Sequence, residues 1–589
     1  MRASGRILVT VLVLLTSIYG RAQQPYAITI ERNTSLKMRD GVVLHADIYR
    51  PVSAEKFPIL LERTPYNKDS LIGFAARAAA HGYIVIIQDV RGRYTSEGEW
   101  YPFKYESQDG FETVEWAGSL PYSDGKVGMA GGSYVGATQM LAAIAKPPHL
   151  AGICPVVTAS NYHNGWTYQG GAFEQWFNES WTTSLAQDTV NRYMVAVSNA
   201  VEGSHASPLS RYPLFNIDTS FEPSAMTAKF APYFLDWLAH PGFDDYWSRW
   251  SIEDHYADIQ VPALTVAAWY DIFQGGSLRN YLGIRARGGS QAARQSQQLV
   301  VGVGGHAGWG REVGDLDFGP DGDFDYDSVT LAWYDFLFKG MKNEFSKPTP
   351  VKIFVMGANK LRDEEAWPLA RAKNTKYFLH SSGRANSSSG DGSLSPALPS
   401  QENADEFVYD PADPAPTVGG PLCCDPVHLP AGPRDQRSVE TRKDVLVFTA
   451  APFSHDTEIT GPVSVELYAK SSTVDTDFTA KIVDVWPNGF AQNLTEGIVR
   501  ARYRDSQVTP SLLVPGKIYK FSIDLWSTSN IFLAGHTLRL EISSSNFPRF
   551  DRNLNTGSED GDTTTAAKAT NSIIHDAEHP SALIVPLIP

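Results

Sequence analysis

Cysteine is nearly absent. Cys154, Cys423 and Cys424 are the three in 589 residues, and an odd count cannot pair completely, which excludes a disulfide framework. Cys423 and Cys424 are neighbours whose Cα atoms lie closer than an unstrained bridge prefers, so they read as loop thiols. Surplus positive charge is missing too. A formal net charge of −15 leaves no basic stripe to neutralise a phosphate backbone, which argues against nucleic-acid partners and for a well-solvated surface. No internal repeat and no phosphate-cradling glycine loop is visible. Asp321, Asp323, Asp325 and Asp327 alternate as in a calcium loop, but Tyr326 stands where the sharp-turn glycine belongs and Ala332 where the bidentate glutamate should be. Asp327 reads instead as the N-cap of a helix over 328–338. His163 has no His or carboxylate at ligand spacing and reads as structural or solvent-exposed. No metal and no cofactor are expected.

What is present begins with a leader. Arg2 and Arg6 precede an apolar run over 7–18, and Gly20-Arg21-Ala22 offers small residues to a signal peptidase. The run is shorter than the ~20 residues that cross a bilayer, and no later stretch is long and apolar enough. Residues 1–22 are therefore expected to be a cleaved secretory signal. The mature chain is expected to be exported, periplasmic or extracellular, and free of the membrane. Its length asks for two or three packed units. Hydrophobic residues at 42% and charged residues at 20% are globular values.

Over 23–160, short apolar runs at 42–49, 58–61, 83–87 and 127–129 alternate with helical stretches at 73–80 and 110–116. That alternation is the mark of βα units on a largely parallel sheet. The character changes over 161–258, where Trp166, Phe173, Trp176, Phe177 and Trp181 crowd together and 188–197 and 231–238 have helical spacing. The α/β pattern resumes over 259–345, with apolar runs at 261–270 and 299–303. An insertion between two halves of one sheet is expected to form a helical cap over the active site. From 346 to 589, β-like runs at 351–356, 376–379, 445–449, 463–468, 478–483 and 538–542 are separated by Gly, Pro, Asn and Asp. They read as an all-β sandwich, with 381–405 as a low-complexity polar loop.

Ser133 stands in Gly131-Gly132-Ser133-Tyr134-Val135-Gly136, between an expected strand and an expected helix over 137–145. A nucleophile on so sharp a turn needs small neighbours, and the helix N-terminus beyond it favours developing negative charge. Val135 occupies the position of the last glycine in the usual G-x-S-x-G spacing, and Gly136 follows it. Asp271 and His306 each come just past an expected strand, in the chain order Ser, Asp, His of α/β-hydrolases. The chemistry requires that set. A serine hydroxyl is a poor nucleophile until a histidine takes its proton, and the imidazolium then needs a carboxylate. Trp166 and Phe173 from the inserted segment, with Phe273 beside Asp271, are the candidate substrate-binding side chains.

Six segments together resemble one family. They are Arg63-Thr64-Pro65-Tyr66-Asn67-Lys68, Asp89-Val90-Arg91-Gly92 with Ser96-Glu97-Gly98, the Ser133 elbow, Trp269-Tyr270-Asp271, Gly305-His306, and Met356-Gly357 with Trp367-Pro368. The chain is similar to the cocaine esterase and glutaryl-acylase family, related to the α-amino-acid ester hydrolases and X-Pro dipeptidyl peptidases. The resemblance implies an α/β-hydrolase with an inserted helical cap and a C-terminal jelly-roll. Its elbow, G-x-S-Y-x-G, accounts for Val135. It implies Ser133 as nucleophile, Asp271 as acid and His306 as base, with the Tyr66 hydroxyl and the Tyr134 backbone N–H as the oxyanion hole.

Three functions stay open: a carboxylic-ester hydrolase or acylase acting on a small ester or amide, an X-Pro dipeptidyl peptidase, and a carbohydrate-binding or interaction protein with an inert hydrolase domain. Homo-oligomerisation is open as well. Relatives that demand a free α-amino group resemble each other in a carboxylate cluster near the catalytic Asp. Here Ile272-Phe273-Gln274-Gly275-Gly276 follows Asp271 without an acid, so apolar or aromatic acyl groups are expected. Glu174 is the carboxylate that could answer an ammonium from the cap.

Overall fold

The computed structural model describes residues 25–193, 230–306, 309–558 and 565–589. The expected signal at 1–22 and the end of the expected helical run at 188–197 lie outside the described residues.

Ten strands form the first sheet, in the spatial order Ile28–Lys37, Val43–Pro51, Ile84–Asp89, Phe57–Thr64, Ser123–Gly132, Leu150–Val156, Ala263–Tyr270, Gln297–Gly305, Val351–Val355 and Lys360–Glu364. From Ile84–Asp89 to Val351–Val355 the pairing is parallel; the two strands at the N-terminal edge and the last one are antiparallel. Phe57–Thr64, Ile84–Asp89 and Ala263–Tyr270 are buried at every position. Parallel strands covered on both faces read as continuous apolar runs, which is why these were legible as short hydrophobic blocks. Helices Ile72–Ala80, Glu106–Gly118, Tyr134–Ile144, Gln274–Arg287 and Tyr326–Lys339 supply the cover. The last of these corrects an expectation. Its N-cap is Asp325, whose carboxylate accepts from the backbone N–H of Asp327 and Ser328, so Asp327 lies inside the first turn.

The insertion between Leu150–Val156 and Ala263–Tyr270 carries helices Gln175–Tyr193, Pro232–Ala239 and Asp245–Ser248. Its described residues form no separate core. Trp166, Phe177, Trp181, Trp237 and Trp247 merge with Ile59, Leu61, Met129 and Tyr134 into one apolar cluster. No helix among the described residues is long and apolar enough to cross a membrane.

The strands from Lys373–His380 onward build an all-β domain. Thr457–Ser471 pairs along its length with Tyr519–Phe532, and Asp477–Val485 lies between Ala491–Arg500 and Thr537–Ser543. Val463, Val465, Leu467 and Ala469 point alternately inward with period two. Val351–Val355, read as the first run of this region, belongs instead to the first sheet through parallel pairing with Leu299–Val301. An apolar run reports that a strand is buried, not which sheet it joins. The polar stretch 381–405 is ordered and contains the strand Ser393–Ser395. Its end is pinned by Asp405, fully buried, which accepts from Ser381 Oγ, Ala385 N and His575 Nε2. Cys423 and Cys424, read as thiols, are joined in a vicinal disulfide. Cys424 sits at φ 78°, a left-handed turn that brings the adjacent sulfurs together.

Candidate active site

Ser133, Asp271 and His306 come from the C-terminal ends of three strands of the first sheet. Ser133 follows Ser123–Gly132 and caps the helix Tyr134–Ile144 at φ 60°, ψ −125°, a turn that lifts its hydroxyl clear of the strand. The small neighbours are sterically required. Gly131 has φ 115° and a Cβ there would collide with Val135, while a Cβ on Gly136 would meet Thr158 Cβ at 2.8 Å.

Asp271 is anchored through its neighbours. Trp269 Nε1–H donates to Phe354 O at 2.7 Å, and Tyr270 O–H donates to Asn493 O of the all-β domain at 2.8 Å. The fully buried Asp271 carboxylate accepts Phe273 N–H through Oδ2 at 2.6 Å and faces His306 Nδ1 through Oδ1 at 2.6 Å. His306 Nε2 lies 2.8 Å from Ser133 Oγ. With Nδ1–H given to a buried carboxylate, Nε2 is left as the proton acceptor.

The Tyr66 hydroxyl oxygen lies 3.5 Å from Ser133 Oγ, and the Tyr134 backbone N–H is directed at the same phenol. Burial raises the Tyr66 pKa against the lowering by hydrogen bonds with Ser133, Trp181 and Tyr134, so the phenol remains a neutral donor. Tyr134 is immobilised through its own hydroxyl, which accepts Phe103 N–H at 2.7 Å and donates to Glu106 Oε1 at 3.0 Å. Glu106 is held in turn by Arg63 Nη1 at 2.7 Å. The motif arginine thus fixes the elbow from behind.

Two of the three substrate-binding candidates meet here. The Trp166 and Phe273 rings stack at 4.4 Å, and Phe273 stands edge-on to His306 at 5.1 Å. Phe173 is not brought to this group. It lies in the two-residue strand Ala172–Phe173, packs against Tyr168 and Phe234, and donates its backbone N–H to Asp551 Oδ1. Phe177 and Trp181 take its place: Phe177 is 5.3 Å from Phe273, and Trp181 is 5.6 Å from Trp166. Their spacing of four on the helix Gln175–Tyr193 was the available signal, since such residues share one face.

Glu174 is committed elsewhere. It is buried, 3.5 Å from Arg549 of the all-β domain, and burial pushes its carboxyl up to about 7 despite that cation. Arg549 also binds Glu496 at 2.6 Å and Gln169 at 2.8 Å. Nearby, the Gln274 side chain accepts Ser527 N–H at 3.2 Å, so the all-β domain docks on the helix that follows Asp271.

Two family models match: X-Pro dipeptidyl-peptidase (S15 family) over residues 40–308, which spans Tyr66, Ser133, Asp271 and His306, and X-Pro dipeptidyl-peptidase C-terminal non-catalytic domain over 343–584. The cocaine esterase of a Rhodococcus sp. is 35% identical over 587 residues, covering 95% of this chain and 99% of that protein. The chain belongs to the S15 family. It is accordingly a serine hydrolase, with the family's α/β-hydrolase fold and C-terminal all-β domain. Among solved structures, an aminopeptidase from a marine sediment archaeon superposes with a TM-score of 0.80 at 25% identity, covering 100% of this chain and 99% of that one. An α-amino acid ester hydrolase superposes with a TM-score of 0.79 at 24% identity over 98% of this chain and 100% of that one, a likeness of fold. The S15 hydrolase therefore shares its architecture with proteins named for ester and for peptide substrates.

Proposed function

We propose that this chain is an exported hydrolase that cleaves carboxylic esters or amides with apolar or aromatic acyl groups, through a covalent acyl-enzyme on Ser133. The observation that carries the reading is the unbroken relay from Asp271 Oδ1 to His306 Nδ1 and from Nε2 to Ser133 Oγ, at 2.6 and 2.8 Å. His306 Nε2 takes the Ser133 proton as Oγ attacks the acyl carbon, and Asp271 stabilises the imidazolium. The carbonyl oxygen becomes an oxyanion that accepts from Tyr66 O–H and Tyr134 N–H. Collapse expels the alcohol or amine, which leaves with the proton from His306. Water then attacks the acyl-enzyme with His306 as base again, releasing the acid and restoring Ser133. Export is supported by the charged, apolar and small-residue pattern of residues 1–22.

The specificity rests on the walls. The Phe273 ring stands edge-on to His306, Trp166 and Phe177 pack against Phe273, Trp181 packs against Trp166, and the residues after Asp271 offer Ile272 and Phe273 but no acid to answer an ammonium. An ammonium desolvated there lacks a charge partner, at a cost of several kcal/mol. The second reading, an X-Pro dipeptidyl peptidase, draws on the same family and needs that ammonium site. Stoichiometric labelling of Ser133 by a fluorophosphonate, located by peptide mapping, tests the nucleophile; a folded, unlabelled protein would refute it. Matched phenylacetyl and phenylglycyl esters test the acyl preference. A higher kcat/KM for phenylacetyl is expected, and a strong phenylglycyl preference that disappears in Glu174→Gln would overturn it.

A further inference from the structure

Besides Ser133 and the Tyr134 backbone N–H, the phenol of Tyr66 has a third partner. Trp181 Nε1–H donates to the Tyr66 hydroxyl oxygen at 3.0 Å, across 115 residues of sequence, from a helix of the inserted segment. Trp181 is buried, and its indole lies against the Tyr134, Trp166 and Trp237 rings, which leave it little freedom to turn away. Arg93, fully buried, fastens the same two elements at a second point: Nε–H donates to Pro65 O at 3.0 Å, one residue before Tyr66, and Nη1–H to Leu185 O at 2.8 Å, one turn beyond Trp181. The Tyr94 backbone N–H adds a bond to Asp188 of that helix at 3.0 Å.

We infer that Trp181 is a positioning residue for the oxyanion donor: its indole N–H occupies one lone pair of the Tyr66 phenol and so turns the phenolic proton toward the substrate carbonyl. The inference rests on the reading of Tyr66 as an oxyanion donor. A phenol carries its proton in the ring plane on one side or the other, and an N–H arriving from one side excludes the rotamer that would point the proton at it. A hydroxyl that accepts a hydrogen bond is also a stronger donor, because the two bonds polarise each other. The helix bearing Trp181 belongs to the insertion, so the oxyanion hole is complete only while the insertion is seated. Arg93 holds that seat.

The test is a double-mutant cycle read as kcat and KM on p-nitrophenyl phenylacetate. Trp181→Phe keeps an aromatic ring and deletes the N–H, and Trp181→His places an N–H at the equivalent ring position. Trp181→Phe is expected to lower kcat about tenfold with little change in KM, the size of one lost hydrogen bond expressed in the transition state. Trp181→His should recover most of that loss. In a Tyr66→Phe background, Trp181→Phe should change kcat by less than about twofold, because its effect passes through the missing hydroxyl. Equal losses from Trp181→Phe with and without the Tyr66 hydroxyl, or equal losses for the Phe and His variants, would mean that the indole only packs, and would overturn the inference. An unaltered kcat in Trp181→Phe would do the same. Should the Phe variant not fold, Trp181→Tyr, which also lacks the ring N–H, takes its place in the cycle. Tyr66→Phe alone separates the two levels. Wild-type kcat in that variant removes the oxyanion role together with the inference, whereas a large Tyr66→Phe loss with additive Trp181→Phe removes the inference alone.

Discussion

Asp271–His306 and the Glu174–Arg549–Glu496 cluster are built from the same materials, buried carboxylates against a cationic or protonatable group, and they are used in opposite ways. In the first, the chain of contacts has an outlet: His306 Nε2 faces a serine hydroxyl, and a proton can move along it. In the second there is none. The Arg549 guanidinium is enclosed by Glu496, Gln169 and Glu174, so its charge serves to hold the inserted segment on the all-β domain. What makes a buried ion pair chemical rather than architectural is access to a reacting atom, and the residue types alone do not reveal it.

The sharpest way to break this comparison is at Ser133. Ser133→Ala is expected to cut ester turnover by at least about 10⁴-fold. The thermal midpoint should stay in place, because the hydroxyl sits on a turn and is not a core contact. Residual turnover near wild type would put the chemistry elsewhere. Arg549→Met attacks the other member of the pair. Removing the cation leaves Glu174 buried without a charge partner and leaves Glu496 with Lys481 as its remaining cation, a loss of about 3–5 kcal/mol read as a lower urea midpoint. The kcat of the folded protein should change little. A stable Arg549→Met with no activity would move Arg549 into the site and dissolve the distinction.

Tyr66→Phe comes next. Loss of one oxyanion donor costs about 10²–10³ in kcat, with KM nearly unchanged. A pure KM effect would make Tyr66 a ground-state binding residue. The smallest effect is a pH dependence at Glu174. Burial raises its carboxyl from 4.5 in the free residue to about 7 in the fold. Between those values the native state keeps a proton that the unfolded chain has released. The stability gained from the protonated form is therefore full below pH 4.5 and lost as pH rises through 7. Glu174→Gln cannot titrate, so its stability relative to wild type should rise by about 2–3 kcal/mol from pH 4.5 to pH 8. Parallel denaturation curves at the two pH values would contradict a neutral Glu174.

The elements that the sequence settled by itself are those with local causes. Fully buried parallel strands appear as apolar blocks, which is why 58–61 and 83–87 lie inside Phe57–Thr64 and Ile84–Asp89. Gly131 and Gly136 are demanded by the turn at Ser133, and Ser133, Asp271 and His306 each directly follow a strand, so these three positions stood out in chain order and the structure brings them into contact. The absence of an acid after Asp271 is likewise a plain property of the chain. Tertiary structure alone decided the rest, because a residue's periodicity states which face is buried and not what arrives to cover it. Val351–Val355 looks like any β run until it pairs with Leu299–Val301. Phe173 and Phe177 are both aromatic residues in one segment, yet a two-residue strand sends the first toward Phe234 and a helix sends the second toward Phe273. Cys423 and Cys424 bond because the backbone turns left-handed between them. Trp181 finds Tyr66 across 115 residues and Arg549 finds Glu174 across 375, contacts fixed only when the inserted segment and the all-β domain have docked.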